Sequence, residues 1–414
     1  MTHSGILTPD RFVRQRMDEN NPKWEQALQR GPEYRLPSAN EDDTRSAFYK
    51  DYSRILHCTS YRRLKHKTQV FFATQNDHIC TRMEHVNHVA SISYTISHYL
   101  GLNAELTQAI ALGHDLGHSP FGHEGESLLN DLMQGWHDWF WHEKNGLYTA
   151  DKIATLPNAM GFYKNLRLTY AVRDGIISHC GETDENGLFP RAEAVELEHI
   201  ERPNQYAPYT WEGCVVKIAD KIAYLGRDIE DAMELNLLEP ERLEELHQVM
   251  KEVSSSEDVV NNSALIQLFI NDLCKNSSPA EGLHLSHEYF QLLVRVKEFN
   301  YKHIYNHPRL LYYRSYAKCI VDTIFHFLEG YYGPHLLDNV TADIAKFPTL
   351  MRYFRDWLVM YGNVAPDERT ARRFENDVIY DMSKPLDYKR ALIDYIAAMT
   401  DNFAIRVYHE IISF

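Results

Sequence analysis

The sequence predicts a mainly α-helical fold, and three observations carry that expectation. Apolar residues recur at helical spacing in long stretches, as at Val86, Val89, Ser93, Ile96 and Leu100. Such stretches end on helix stops, here Gly101. Alternating, strand-like runs are few, which leaves room for at most a short β-hairpin.

The elements follow in order. Residues 1–45 are polar, with Pro9, Pro22, Pro32 and Pro37 and the acidic run Glu41-Asp42-Asp43, and read as an N-terminal arm with short helices. After the helix that ends at Gly101, Glu105 to Leu116 reads as a second helix stopped by Gly117. Residues 181–213 are rich in Gly, Pro and acids and read as a surface excursion with one short hairpin. Val215, Ile218, Ile222, Leu225 and Ile229 give a third helix its buried face. Residues 252–264 and 275–282 read as loops, and the remainder to Phe414 as helical and aromatic. The expected organisation is a core over 46–240, interrupted by the excursion, and a C-terminal helical region over 241–414 packed on it.

Composition bounds the function. The chain has 414 residues and a formal net charge of −15, which argues against nucleic-acid and membrane partners. The basic segment 54–82 keeps a nucleic-acid role open: Arg54, Arg62, Arg63, Lys65, Lys67 and Arg82 face the single acid Asp77, a net of +5. No apolar stretch approaches a membrane span, and MTHSGILTPDRFVRQR lacks the apolar run of a signal peptide. Six scattered cysteines without a CxxC pair suit reduced thiols, so a cytoplasmic protein is expected.

The densest chemistry lies in GHDLGHSPFGHEGE, residues 113–126, with four histidines and an aspartate. His114 and Asp115 are neighbours, about 100° apart on a helix, so both reach one ion only over a helix end. His85, in TRMEHVNHV, and Asp220, in VVKIADKIAYLGRD, lie on strong helical patterns and can complete a set of two imidazoles and two carboxylates. Such a set suits Mn²⁺, Mg²⁺, Fe²⁺, Ni²⁺ or Zn²⁺. Taken singly, each has a plainer reading, as a helix cap or a solvated edge. His123 and Glu126 are spaced i, i+3, so the carboxylate can hold the imidazole in one tautomer and raise its pKa. Arg82 lies one turn before His85 on the same side, within reach of phosphates bound beside it.

Together these residues resemble the HD-domain phosphohydrolases, and most closely their deoxynucleoside triphosphate triphosphohydrolases, the dGTPase-like family. The blocks YRRLKHKTQVF (61–71), TRMEH (81–85), GHDLGHSPFGHEGE and IADKIAYLGRDIEDA (218–232) stand in that family's order, and NHPRLLYYRSYAKCIVDTI (306–324) matches more weakly. The resemblance implies an HD-domain helical core that hydrolyses a dNTP to deoxynucleoside and inorganic triphosphate, water attacking the α-phosphorus. It implies His85, His114, Asp115 and Asp220 as metal ligands, and His123 with Glu126 as the acid for the 5′-oxygen. His118 would meet phosphate, and His142 resembles an active-site histidine of some members; His137 is a lesser candidate. Lys221 would bind phosphate, Tyr224 would pack against the sugar and exclude a 2′-hydroxyl, and Asp228 would take the 3′-hydroxyl. Gln69, Arg309 and Tyr313 would reach the nucleoside, whereas several of Tyr301, Tyr305, Tyr312, Tyr313 and Tyr316 would be core. The family further implies a homo-oligomer, often a hexamer, with an activating nucleotide in some members. The competing readings are another HD phosphohydrolase, a catalytically silent dNTP-binding regulator and a single-strand nuclease.

Overall fold

The structure, a computed structural model, describes residues 10–30, 44–72, 76–136, 138–180, 186–251 and 262–413. Much of the expected arm (1–9 and 31–43, with the acidic run), His137, the start of the excursion (181–185) and most of the 252–264 loop lie outside the described residues.

Eleven helices frame the site. α1 (Ala47–His57) opens on the Ser46 hydroxyl, which accepts the Tyr49 amide. α2 (Arg82–Leu100) begins with a reciprocal cap between Thr81 and Glu84 and ends at Gly101 with φ +82°. α3 (Ala104–Gly113) is capped by Asn103. α4 (Gly122–Leu132), α5 (His142–Tyr148) and α6 (Tyr170–Ser178) follow. α7 (Trp211–Glu234) runs 24 residues. Then come α8 (Pro308–Glu329), α9 (Pro348–Tyr361), α10 (Pro385–Ala397) and α11 (Asp401–Ile412). Helices at Pro240–Lys251, Asn262–Asn276 and His287–Asn300 lie between α7 and α8. None of the described helices is long and apolar enough to cross a membrane.

Among the described residues two large apolar cores and a smaller third result. α2 packs on α3 and α7, and α3 on α1 and α6. Their shared core holds Val86, Val89, Ile96, Leu100, Ile110, Ile176, Val215 and Ile222. In the second core α8 to α11 gather around Phe121, Leu128 and Leu129 at the start and inner face of α4. The C-terminal helices thus brace the segment that carries the GHEGE residues.

Three local expectations are corrected. The second helix stops at Gly113, not Leu116: residues 114–118 fold into tight turns in which the Leu116 amide donates to Gly113 O and the His118 amide to Asp115 O. Among the described residues the hairpin lies outside the 181–213 segment, at β1 (Thr155–Pro157) and β2 (Tyr163–Asn165), antiparallel with Thr155 opposite Asn165. Nor is that segment only a surface excursion, because Leu197, Ile200 and Tyr209 bury against Trp141, Tyr170 and Ile177. The described cysteines are free thiols, five buried and Cys319 exposed.

Glycines in the 113–126 stretch answer to crowding. A Cβ on Gly117 would fall 2.1 Å from Gly146 N and 2.2 Å from His142 O, and one on Gly125 would fall 1.8 Å from Pro120 O. The turn after α3 therefore presses directly on α5, which brings His142 against His118. Gly117→Ala is expected to destabilise the fold by about 3 kcal/mol, the cost of overpacking against rigid backbone, read as a lowered Tm.

Candidate active site

Three elements bring the metal-type donors to one cavity of about 410 Å³. The cap at Thr81 fixes the first turn of α2 and points Arg82 and His85 inward. The turn after α3 delivers His114, Asp115 and His118, and α7 delivers Asp220. His85 Nε2 lies 2.9 Å from Asp220 Oδ1 and 3.9 Å from Asp115 Oδ2. His114 Nε2 lies 3.4 Å from Asp115 Oδ1 and 3.9 Å from Asp220 Oδ1. Donors held about 2.1 Å from one divalent ion stand about 3.0–3.5 Å apart, so these four could hold a metal. His114 Nε2 is buried without a hydrogen-bond partner, as a ligand nitrogen would be in the absence of its ion. Burial works against ionising Asp220, but the hydrogen bond and charge of His85 bring it down to about 2.

His114 owes its direction to its own helix. Nδ1 lies 2.7 Å from Ala111 O, and a carbonyl only accepts, so Nδ1 carries the hydrogen and Nε2 presents a lone pair. His179, at the end of α6, repeats this: its Nδ1 lies 2.7 Å from Ile176 O and its ring stands 4.9 Å from that of His114. Burial and the neighbouring His114 pull its pKa down to about 3, so it is neutral. His114, His179 and Asp220 offer ligand atoms within 4.8 Å of one another. Sequence reasoning missed His179. The available signal was a histidine closing an apolar helix, IISH, as in the IALGH context of His114.

A second cluster adjoins the first. His118 Nε2 meets Asp115 Oδ1 at 3.1 Å, and the His118 ring stacks on His142 at 3.9 Å. His142 lies between two carboxylates, Nδ1 at 3.0 Å from Glu126 Oε2 and Nε2 at 3.4 Å from Glu143 Oε2. Burial disfavours its charge, but Glu143 and Glu126 outweigh burial and raise its pKa to about 9. His123 faces both rings at 5.4 Å and opens onto the cavity. The crowded walls, with the positive charge of His142, lower its pKa to about 4. The expected pairing of Glu126 with His123, and the raised pKa it would bring, are therefore corrected: His142 from α5 takes that carboxylate.

An HD domain is matched over residues 82–225, which spans all four donors, and a phosphohydrolase-associated domain over 365–410. The chain is 32% identical over 370 residues to the deoxyguanosinetriphosphate triphosphohydrolase-like protein of Caldanaerobacter subterraneus subsp. tengcongensis, covering 89% of this chain and 86% of that protein. The chain belongs to the deoxyguanosinetriphosphate triphosphohydrolase-like family. Proteins of the same name from Clostridium tetani (34% over 301 residues, 71% of this chain and 76% of that one) and Desulfatibacillum aliphaticivorans (31% over 371, 89% and 88%) are further relatives. It is an HD phosphohydrolase, a hydrolase with a fold to suit.

The remaining residues that the family resemblance brought forward divide. Asp220, Tyr224 and Asp228 are one turn apart along α7 and all line the cavity, with Gln69, Arg82 and Tyr313. Asp228 accepts the Tyr305 hydroxyl at 2.5 Å, and burial pushes its pKa up to about 7. Lys221 does not join them: one residue on from Asp220, it is turned about 100° away and lines a separate crevice with Lys217 and Asn186. Arg309 is exposed on the first turn of α8 and is not among the cavity's lining residues, whereas Leu310 is. Tyr301, Tyr305 and Tyr313 line the cavity instead of filling a core, and Tyr312 is 80% exposed. Of the six cations of 54–82 only Arg82 lines the cavity, donating to Asp115 Oδ2 at 2.9 Å and to Gln69 O at 3.1 Å. Lys67, in the same basic run, is buried; burial and nearby Arg63 lower its pKa to about 7.

Calorimetric titration of the metal-free protein with Mn²⁺ checks the donor set. His114→Ala is expected to weaken binding about a hundredfold or more, and His98→Ala, on an exposed position of α2, to leave it unchanged. Equal binding by both variants would remove His114 from the set.

Proposed function

We propose that the cavity hydrolyses a deoxynucleoside triphosphate, dGTP or several dNTPs, to deoxynucleoside and inorganic triphosphate. One observation carries the reading. Along a single face of α7 a metal-type donor, an aromatic ring and a carboxylate follow at one-turn intervals, Asp220, Tyr224 and Asp228, over about 12 Å. That order suits a ligand with phosphate at one end and a sugar at the other. The relatives' name, deoxyguanosinetriphosphate triphosphohydrolase-like, supports the same substrate class.

His85, His114, Asp115 and Asp220 would hold a divalent cation, which when bound neutralises phosphate charge and acidifies the attacking water. Arg82 and His118 orient phosphate oxygens. Tyr224 packs under the sugar and leaves no room for a 2′-hydroxyl, Asp228 accepts the 3′-hydroxyl, and Gln69 and Tyr313 flank the nucleoside. Water forms the new bond to the α-phosphorus as the bond to the 5′-oxygen breaks. The proton that water gives up balances the one the 5′-oxygen takes. His123 reaches that oxygen, and His142, charged between Glu126 and Glu143, supplies the proton that His123 does not itself hold at neutral pH.

Incubation with each dNTP and with GTP, in Mn²⁺ or Mg²⁺, should yield deoxynucleoside and intact triphosphate from dNTPs alone, identified by chromatography and mass. Pyrophosphate with dNMP, or single phosphate release, would point to another HD phosphohydrolase chemistry. Binding of dNTPs without turnover would leave a silent regulator.

The proton source sets the pH profile. His142 holds its proton below about 9, so kcat should fall as pH rises through that value. Glu126→Gln removes one carboxylate that stabilises the imidazolium and should move this alkaline limb down by about one pH unit or more. An unmoved limb would exclude His142 as the source.

A further inference from the structure

The phosphohydrolase-associated segment, 365–410, supplies none of the cavity's lining residues. Yet Asp401, at the first turn of α11, is buried and turns its carboxylate away from its own helix, whose start is capped by Thr400. Asp401 Oδ2 accepts the Thr68 amide at 3.0 Å and the Thr68 hydroxyl. Asp401 Oδ1 accepts the Phe121 amide at 3.0 Å. One carboxylate thus ties together two segments that are far apart in sequence, one ahead of the HD domain and one within it.

Both segments lead straight to the cavity. Thr68 O accepts Arg82 Nε at 3.2 Å, while Arg82 Nη1 donates to Asp115. Phe121 caps α4 with φ +67°, a conformation costly for a side chain other than glycine, and α4 carries His123 and Glu126. A second strut runs in parallel: buried Lys67 donates to Ala397 O at the end of α10, at 2.9 Å, and to His118 O. Between α10 and α11 the C-terminal region therefore holds residues 67–69 and 118–121 from behind.

We propose that Asp401 is a positioning residue of the active site, its carboxylate clamping Thr68 and Phe121 so that Arg82 and the α4 pair His123 and Glu126 keep their places. The clamp gives the C-terminal segment a role in turnover without contact with substrate. It rests on the reading of the cavity as the site of hydrolysis.

Asp401→Asn keeps the shape but turns a donor toward amides that need acceptors. Hydrogen exchange by mass spectrometry tests the clamp without any reaction. Peptides covering 67–70 and 118–126 should exchange about tenfold faster or more in Asp401→Asn, and peptides of α2 and α7 at the parent rate. Steady-state kinetics on dNTP should show kcat down about tenfold or more, with Mn²⁺ affinity in calorimetry within about threefold, because three of the four donors, His85, His114 and Asp220, lie off the clamp and Asp115 meets it only through Arg82. Thr68→Val should reproduce part of the loss and Thr68→Ser restore it. Unchanged exchange in the two segments would overturn the clamp. So would kcat per folded molecule equal to that of the parent with only Tm lowered, the result of a purely structural aspartate. A parent protein that hydrolyses no dNTP would sink the functional reading instead, and exchange alone would then judge the clamp.

Discussion

His114 and His179 each return the hydrogen of Nδ1 to a carbonyl three residues back, at 2.7 Å in both cases. A buried imidazole has two nitrogens and one hydrogen when neutral. Satisfying Nδ1 from within the helix leaves Nε2 as a lone pair aimed away from it. The direction of both histidines, His179 lining the cavity floor and His114 buried against it, therefore follows from where their helices stop. α3 must end at Gly113 and α6 at Ser178 for these rings to fold back, and the tight turns after Gly113 then carry Asp115 to its place beside His114. The rest of the cavity is built around this floor. Gly117 lets α5 close on the turn, and α5 brings His142 over His118.

Much of this was legible in the sequence. The apolar spacing in α2 and α7 fixes which faces are buried, so residues just off those faces, His85 and Asp220, are available to a cavity. The HD pair was readable because two adjacent ligands require a helix end. What sequence spacing could not supply was competition from another element. The i, i+3 rule sees only the helix's own neighbours and gave Glu126 to His123, while α5, arriving from sixteen residues away, offered His142 at 3.0 Å. The same blindness hid Lys67. A cation within a basic run looks solvated until Ala397, 330 residues on, supplies a carbonyl to its ammonium. Lys221 and Arg309 fall outside the cavity lining for the opposite reason, since motif position says nothing of the angle around the helix. His179 lacks a motif partner in sequence and becomes visible only when its helix end is laid beside that of α3.

Charge completes the account. The chain carries −15, and the cavity is lined by Asp115, Glu124, Glu143, Asp220 and Asp228 with Arg82 its one arginine or lysine among the described residues. Burial pushes Asp228 up to about 7 and raises Glu143, which softens two of these charges. Asp220 stays ionised, and Arg82 already shares its guanidinium with Asp115. Like charges about 4 Å apart repel by about 4 kcal/mol at an effective dielectric of 20. Glu124 is paired with Arg314, so a polyanion entering this lining meets chiefly Asp115 and Asp220, with Arg82 and the His142 imidazolium as the cations opposite them. A divalent cation among His85, His114, Asp115 and Asp220 reverses that sign where the carboxylates converge. A bound cation would therefore make the acid-rich lining favourable to a phosphate substrate. The carboxylates that make the lining hostile to phosphate are the groups that would bind the ion able to admit it.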